Sequence, residues 1–173
     1  MVTTTTKNYY PKKSEFIYDE VYIGNNVFSI KEKLPQKDSG CIVVAADSYL
    51  ARDSKLHGFN CDQITNIYKL QLFDFILIEA DGARQKPVKA PGKNEPVIPK
   101  ETSIIIGMIG FTCFGRPISE KTVHRVENFC SITGTSEGEI IDREAISELV
   151  KSTTGLFKGI PANATKIFLI NQV

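Results

Sequence analysis

Four runs of consecutive apolar residues constrain this chain more than any other feature: Cys41–Ala46, Phe75–Ile78, Ile104–Ile109 around a single glycine, and Ile167–Ile170. The first three lack the alternation of a half-exposed strand and are expected to be strands covered on both faces, as in parallel α/β sheets. Lys166–Ile170 is expected to be a last strand. Gly107 inside the third run predicts close approach by a neighbouring element.

Helical patterns fall between the runs. From Asn26, which can cap, Val27, Ile30 and Leu34 follow helical spacing until Pro35 stops it. A hairpin turning at Gly24-Asn25 is the competing reading. Ile64, Ile67 and Tyr68 predict a helix over about Asp62–Gln71 with Asp62 as cap. A helix starting at Ser119 would bury Val123, Val126, Phe129 and Cys130 and would carry Glu120, His124 and Asn128 on its other side. Asp142 caps a further helix with Ala145, Ile146, Leu149 and Val150 on one face, Ile141 stapled to Ile146, and a stop at Gly155. The β-branched run Val2–Thr6 reads as strand, Lys7–Ser14 and Ser54–Gly58 as loops, and Glu15–Tyr18 as a short strand. This alternation predicts one α/β domain over residues 1–173, three-layered, with a mainly parallel sheet.

The chemistry gathers in Asp74–Pro99. The strand Phe75–Ile78 runs into Glu79 and Asp81 at its carboxyl end, the edge at which open α/β sheets bind ligands. If the strand continues through Ala80, the two carboxylates share a face and suit a hard cation such as Mg²⁺. The loop that follows is crowded with Arg84, Lys86, Lys89 and Lys93 and stiffened by Pro87, Pro91, Pro96 and Pro99. That density suits a phosphate or an anionic pterin-type cofactor, with Lys89 the first choice and Arg84 the second. His124 and Arg125, at an expected helix start, are candidates for the same ligand, His124 as a proton-transfer group near neutral pH.

A formal net charge of +1 over 173 residues gives no global attraction to nucleic acid or to a membrane surface. No apolar run is long enough to span a bilayer, and the expectation is a soluble, cytoplasmic chain without nucleic-acid or membrane partners. Cys41, Cys61, Cys113 and Cys130 have neither disulfide-framework nor zinc spacing and are expected to be free thiols.

The segments Ile78-Glu79-Ala80-Asp81-Gly82-Ala83, Pro87-Val88-Lys89-Ala90-Pro91, Asn94-Glu95-Pro96-Val97-Ile98-Pro99 and Thr122-Val123-His124-Arg125 together resemble the YqeC family. These are accessory proteins assigned to selenium-dependent molybdenum hydroxylases. The likeness extends from Val2–Thr6 through Lys55-Leu56-His57-Gly58 to Gly155–Pro161, nearly the whole chain. It implies a P-loop NTPase-like fold, with ATP or GTP and Mg²⁺ bound in the full-length family and a molybdenum cofactor or its precursor as a further ligand. A client molybdenum hydroxylase is the implied partner.

On that resemblance Asp81 corresponds to the acid ending a Walker B strand, Glu79 orients water, and Thr5 and Thr6 lie near the terminal phosphate. The family's Gly-Gly-Lys-Thr phosphate loop would precede the Thr run, and the chain begins at Met1-Val2-Thr3. The first strand and phosphate loop are therefore expected to be missing. Asn171-Gln172-Val173 stands where a GTPase-like Asn-Lys-x-Asp is expected, which suggests truncation there too. The expectations are weak or absent NTP hydrolysis, unpaired strand edges compensated by homo-oligomerisation, and, as the alternative function, a non-catalytic module binding an anionic cofactor or a client enzyme.

Overall fold

Apolar run, cap and turn chemistry place most of the expected elements where they form in the computed structural model, which describes residues 1–14, 17–34 and 40–171. The described residues group into two compact units, Met1–Gly82 with Pro99–Glu101, and Ala83–Ile98 with the chain from Thr102 onward.

The first unit runs β1 (Val2–Thr4), β2 (Lys7–Tyr9), β3 (Glu20–Ile23), a 3₁₀ turn at Val27–Ser29 leading into α1 (Ile30–Lys33), β4 (Val43–Ala46), β5 (Ser48–Leu50), β6 (Lys55–His57), α2 (Cys61–Lys69) and β7 (Leu77–Glu79). Its main sheet has the order β3-β4-β1-β7, all parallel, with Thr4 opposite Glu79. Asn26 caps as expected, its side chain accepting from the Phe28 amide, and β3 lies parallel to β4, so no hairpin forms at Gly24-Asn25. Val27, Ile30, Phe59, Ile64 and Ile67 pack in one buried cluster. Each such side chain contributes roughly 1.5–3 kcal/mol relative to exposure.

Three expectations for this unit need correction. Lys7–Ser14 and Ser54–Gly58 are not simply loops, because β2, β6 and β5 form an antiparallel sheet in that order. A strand of three residues is too short to show a period, so only its ladder reveals it. The cap of α2 is Asn60 and not Asp62: the Asn60 side chain accepts from the Gln63 amide and Gln63 reciprocates, a complete capping box. Phe75–Ile78 is not covered on both faces. The strand begins at Leu77, Phe75 and Leu77 are 78% and 60% exposed, and β7 is the outermost strand of its sheet. It also ends at Glu79, short of the continuation through Ala80 that would align Glu79 with Asp81.

The second unit runs β8 (Val88–Lys89), β9 (Ile104–Gly110), β10 (Val123–His124), α3 (Val126–Thr133), α4 (Arg143–Lys151) and β11 (Thr165–Asn171). β8 pairs in parallel with β10, and β9 with β11. Asp142 caps α4 by accepting from the Ala145 amide, and Ile141, Ile146 and Leu149 join Val88, Val123 and Phe129 in the core. At Gly107 a Cβ would fall 2.8 Å from Leu156, so the expected close approach is there. Two corrections apply. Val123 and His124 are strand, the helix starting only at Val126. The other face of β9 is open, with Ile104, Ile106 and Met108 each about half exposed.

The chain is thus α/β with mainly parallel pairing. The expected strand at Glu15–Tyr18 falls partly outside the described residues, as do Pro35 and the pair Gln172-Val173. Tyr18 itself is not in a strand. The four cysteines are free, and among the described residues no helix is long and apolar enough to cross a membrane.

Candidate functional site

In the first unit the parallel register of β1 and β7 sets Thr4 beside Glu79 at the carboxyl ends of both strands. Thr4 Oγ1 donates to Glu79 Oε2 at 2.6 Å and Thr6 Oγ1 donates to the same oxygen at 2.5 Å, the two hydroxyls being 3.0 Å apart. The Thr5 amide donates to the Glu79 carbonyl at 3.0 Å. Hydrogen bonds to an ionised carboxylate are about twice as strong as neutral ones, so Glu79 is held in one orientation. Gly58 makes room for this arrangement: a Cβ there would lie 2.2 Å from the Thr4 carbonyl oxygen, and its amide donates to Thr6 O at 2.8 Å.

Oxygen donors of this kind fit Mg²⁺, which takes one or two carboxylates and completes its shell with water and phosphate. Glu79, Asp81 and the Thr hydroxyls supply hard oxygen only. Among the described residues no cluster of three or more His, Cys, Asp or Glu side chains offers a metal cage.

The second unit holds the cations. β8 and β10 set Lys89 directly opposite His124, and Arg125 follows as the first residue beyond β10. Glu95 joins them: its Oε2 lies 2.8 Å from Lys89 Nζ and its Oε1 accepts from Arg125 Nη2 at 2.7 Å. The Gly92 amide also donates to Glu95 Oε2, at 3.2 Å. Burial opposes the Glu95 charge, yet the bonds from Lys89, Arg125 and Gly92 outweigh it and bring the carboxyl down to about 2. The His124 imidazole is held below its ordinary range, first by burial and then by the positive charges of Lys89, Arg125 and Arg84, with Glu95 opposing. His124 is therefore biased to the neutral form, and the field around it is net cationic.

Both arginines of this group have left-handed backbone. Arg84 (φ 51°) and Gln85 (φ 60°) are the centre of a turn closed by the Lys86 amide on the Ala83 carbonyl at 3.0 Å, and Arg125 lies at φ 69°. Residues other than glycine rarely adopt this region, at a cost of about 1–2 kcal/mol each, and such strain concentrates where groups are presented to ligands.

The expected site residues thus fall into two sets. Thr5, Thr6, Glu79 and Asp81 belong to the first unit; Arg84, Lys86, Lys89, His124 and Arg125 belong to the second. Thr6 and Glu79 are joined directly, and Thr5 enters through its amide. Asp81 is half-buried beyond the end of β7, and Lys86 contributes its amide to the turn. Lys89, the first choice as anion ligand, has a side chain only 6% exposed and sealed against Glu95.

Three contributors were not among the expected site residues. Glu95 organises the cations, Lys158 Nζ donates to the Gly92 and Lys93 carbonyls at 2.6 and 2.7 Å, and Asn128 Nδ2 donates to the Pro91 carbonyl at 2.9 Å. A lone carboxylate in the loop that carries Lys89 and Lys93 was the available signal for Glu95; nothing local pointed to Lys158, which acts 66 residues away from Gly92.

Residues 1–127 match the family described as YqeC protein. The chain is 30% identical over 172 residues to a protein of Escherichia coli K12 described as uncharacterized protein YqeC. That match covers 99% of the chain and 64% of the relative's own length. No solved structure matches.

Proposed function

Because the chain belongs to the YqeC family, we propose that it is an accessory protein that binds a nucleotide or another phosphate-bearing cofactor while a selenium-dependent molybdenum hydroxylase is matured. The observation that carries this reading is the second unit's cation group: Arg84, Lys89 and Arg125 act together on a His124 biased to neutrality, on a backbone strained at both arginines. Such an arrangement suits a phosphate or other oxyanion better than a neutral ligand, since the exposed Arg84 guanidinium can offer a planar fork to two oxygens and Arg125 keeps part of its side chain exposed beside it. Neutral His124 can accept a proton from a bound group or donate its N–H to an oxyanion.

In the first unit, Glu79, fixed by the Thr4 and Thr6 hydroxyls, would be the carboxylate that meets Mg²⁺ directly, with Asp81 beyond the strand end reaching it through water. Mg²⁺ would neutralise phosphate charge there, the role it has in P-loop NTPase-like folds, which we take as the architecture of the full-length family. Phosphoryl transfer also needs a cradle of backbone amides around the phosphates, and the described residues present no glycine-rich phosphate loop. The reading is therefore of binding with little turnover.

The test is calorimetric titration of the chain with ATP, GTP and inorganic pyrophosphate, each with and without Mg²⁺, beside an assay of phosphate release. Saturable binding with weak or absent hydrolysis is expected. Robust metal-dependent turnover would replace the binding role by an enzymatic one, and failure of all three ligands to bind would remove the reading altogether. The hydroxylase role is tested separately, by whether the chain retains a cofactor-free molybdenum hydroxylase on a column.

A further inference from the structure

The segment Pro91–Glu95 is tied down by contacts that converge on one side chain. Gly92 lies flat on the Arg125 guanidinium: a Cβ at Gly92 would come within 3.0 Å of the guanidinium carbon and 3.1 Å of Nη2. The Gly92 carbonyl is fixed by Lys158, the Pro91 carbonyl by Asn128, and the Gly92 amide by Glu95. Glu95 then grips Arg125 Nη2 with one oxygen and Lys89 Nζ with the other. With Arg125 Nη2 on Glu95 and Nε buried without a hydrogen-bond partner, Nη1 is the guanidinium nitrogen left to meet a ligand. The side chain keeps 36% of its surface exposed, against 6% for Lys89.

We propose that Glu95 is a positioning residue, which sets the Arg125 guanidinium so that Nη1 receives a phosphate-type oxyanion, while Lys89 serves as the buried counter-charge of Glu95. This rests on the anion-binding reading above and assigns its parts: Arg125 touches the ligand, Glu95 acts through Arg125, and Lys89 acts through Glu95. A guanidinium free to rotate would give up orientation on binding; one already locked in place has less to lose.

The experiment is a double-mutant cycle with inorganic pyrophosphate as the probe, read by calorimetry, on the chain and its E95Q, R125K and E95Q/R125K forms. E95Q and R125K should each weaken binding about tenfold, the scale of one charge-assisted hydrogen bond, and the double variant should bind no more weakly than R125K. Glu95 merely supporting the fold would instead give losses that multiply. Because E95Q removes the carboxylate 2.8 Å from the buried Lys89 Nζ, K89M/E95Q is made in parallel and should show the same tenfold loss.

Unchanged or tighter binding by E95Q, or multiplicative losses, overturns the assignment and leaves the function standing. A wild-type chain that binds no pyrophosphate also overturns it; only if ATP and GTP fail as well does the function fall with it.

Discussion

Gln85 and Glu95 show how far single residues carry the second unit. Gln85 is exposed at φ 60°, a conformation that glycine adopts at no steric cost. Gln85→Gly should therefore raise stability by about 1 kcal/mol in urea unfolding, the relieved strain exceeding the entropy that glycine adds to the unfolded chain. Glu95 makes stability depend on acid. Its carboxyl titrates at about 2 in the folded chain against an ordinary 4.5, so between those values the unfolded chain takes up a proton that the folded chain refuses. Its contribution is complete above pH 4.5 and is lost as pH falls toward 2. Unfolding free energy followed from pH 5 downward should fall less steeply in E95Q than in the parent, and parallel curves would contradict this.

Among the elements, β1 is the one on which the first unit's chemistry hangs. It lies between β4 and β7, and its end meets Gly58, whose amide and the next one, Phe59, donate to Thr6 and Thr4 carbonyls at 2.8 and 3.0 Å. Gly58→Ala places a methyl 2.2 Å from backbone oxygen, which no rotamer change relieves. We expect a loss of about 3 kcal/mol or more, from overpacking together with broken backbone bonds, and exchange protection lost first at Thr4 to Thr6. Hydrogen exchange with the amides of β8 and β10 unaffected would locate the damage in the first unit.

For the molecule as a whole, the open side of the β9–β11 pair is the feature with consequences. Ile104, Ile106 and Met108 on β9 stand in register with Thr165, Ile167 and Leu169 on β11, and the five apolar members of this set are 43–55% exposed. Parallel strands are ordinarily covered on both faces, and an apolar face of this kind drives association. Sedimentation should show mass rising with concentration, and Ile106→Lys with Leu169→Lys should return the chain to a monomer. A clean monomer at high concentration in the parent chain would refute the expectation.

What the sequence determined by itself is the α/β alternation, the strands at Val43–Ala46, Ile104–Gly110 and Thr165–Asn171, and the caps Asn26 and Asp142. These are local effects, in which a residue acts on backbone within a turn of itself or through the period of its neighbours. The clustering of basic residues in the loop after Asp81 was legible for the same reason. Only tertiary structure decided that Val123 and His124 are strand, because their ladder partners Val88 and Lys89 are 35 positions earlier. The same holds for Thr4 and Thr6 on Glu79 across more than 70 residues, and for Glu95 between Lys89 and Arg125. No local period encodes which distant backbone a short strand will meet, nor which charge will be buried against which.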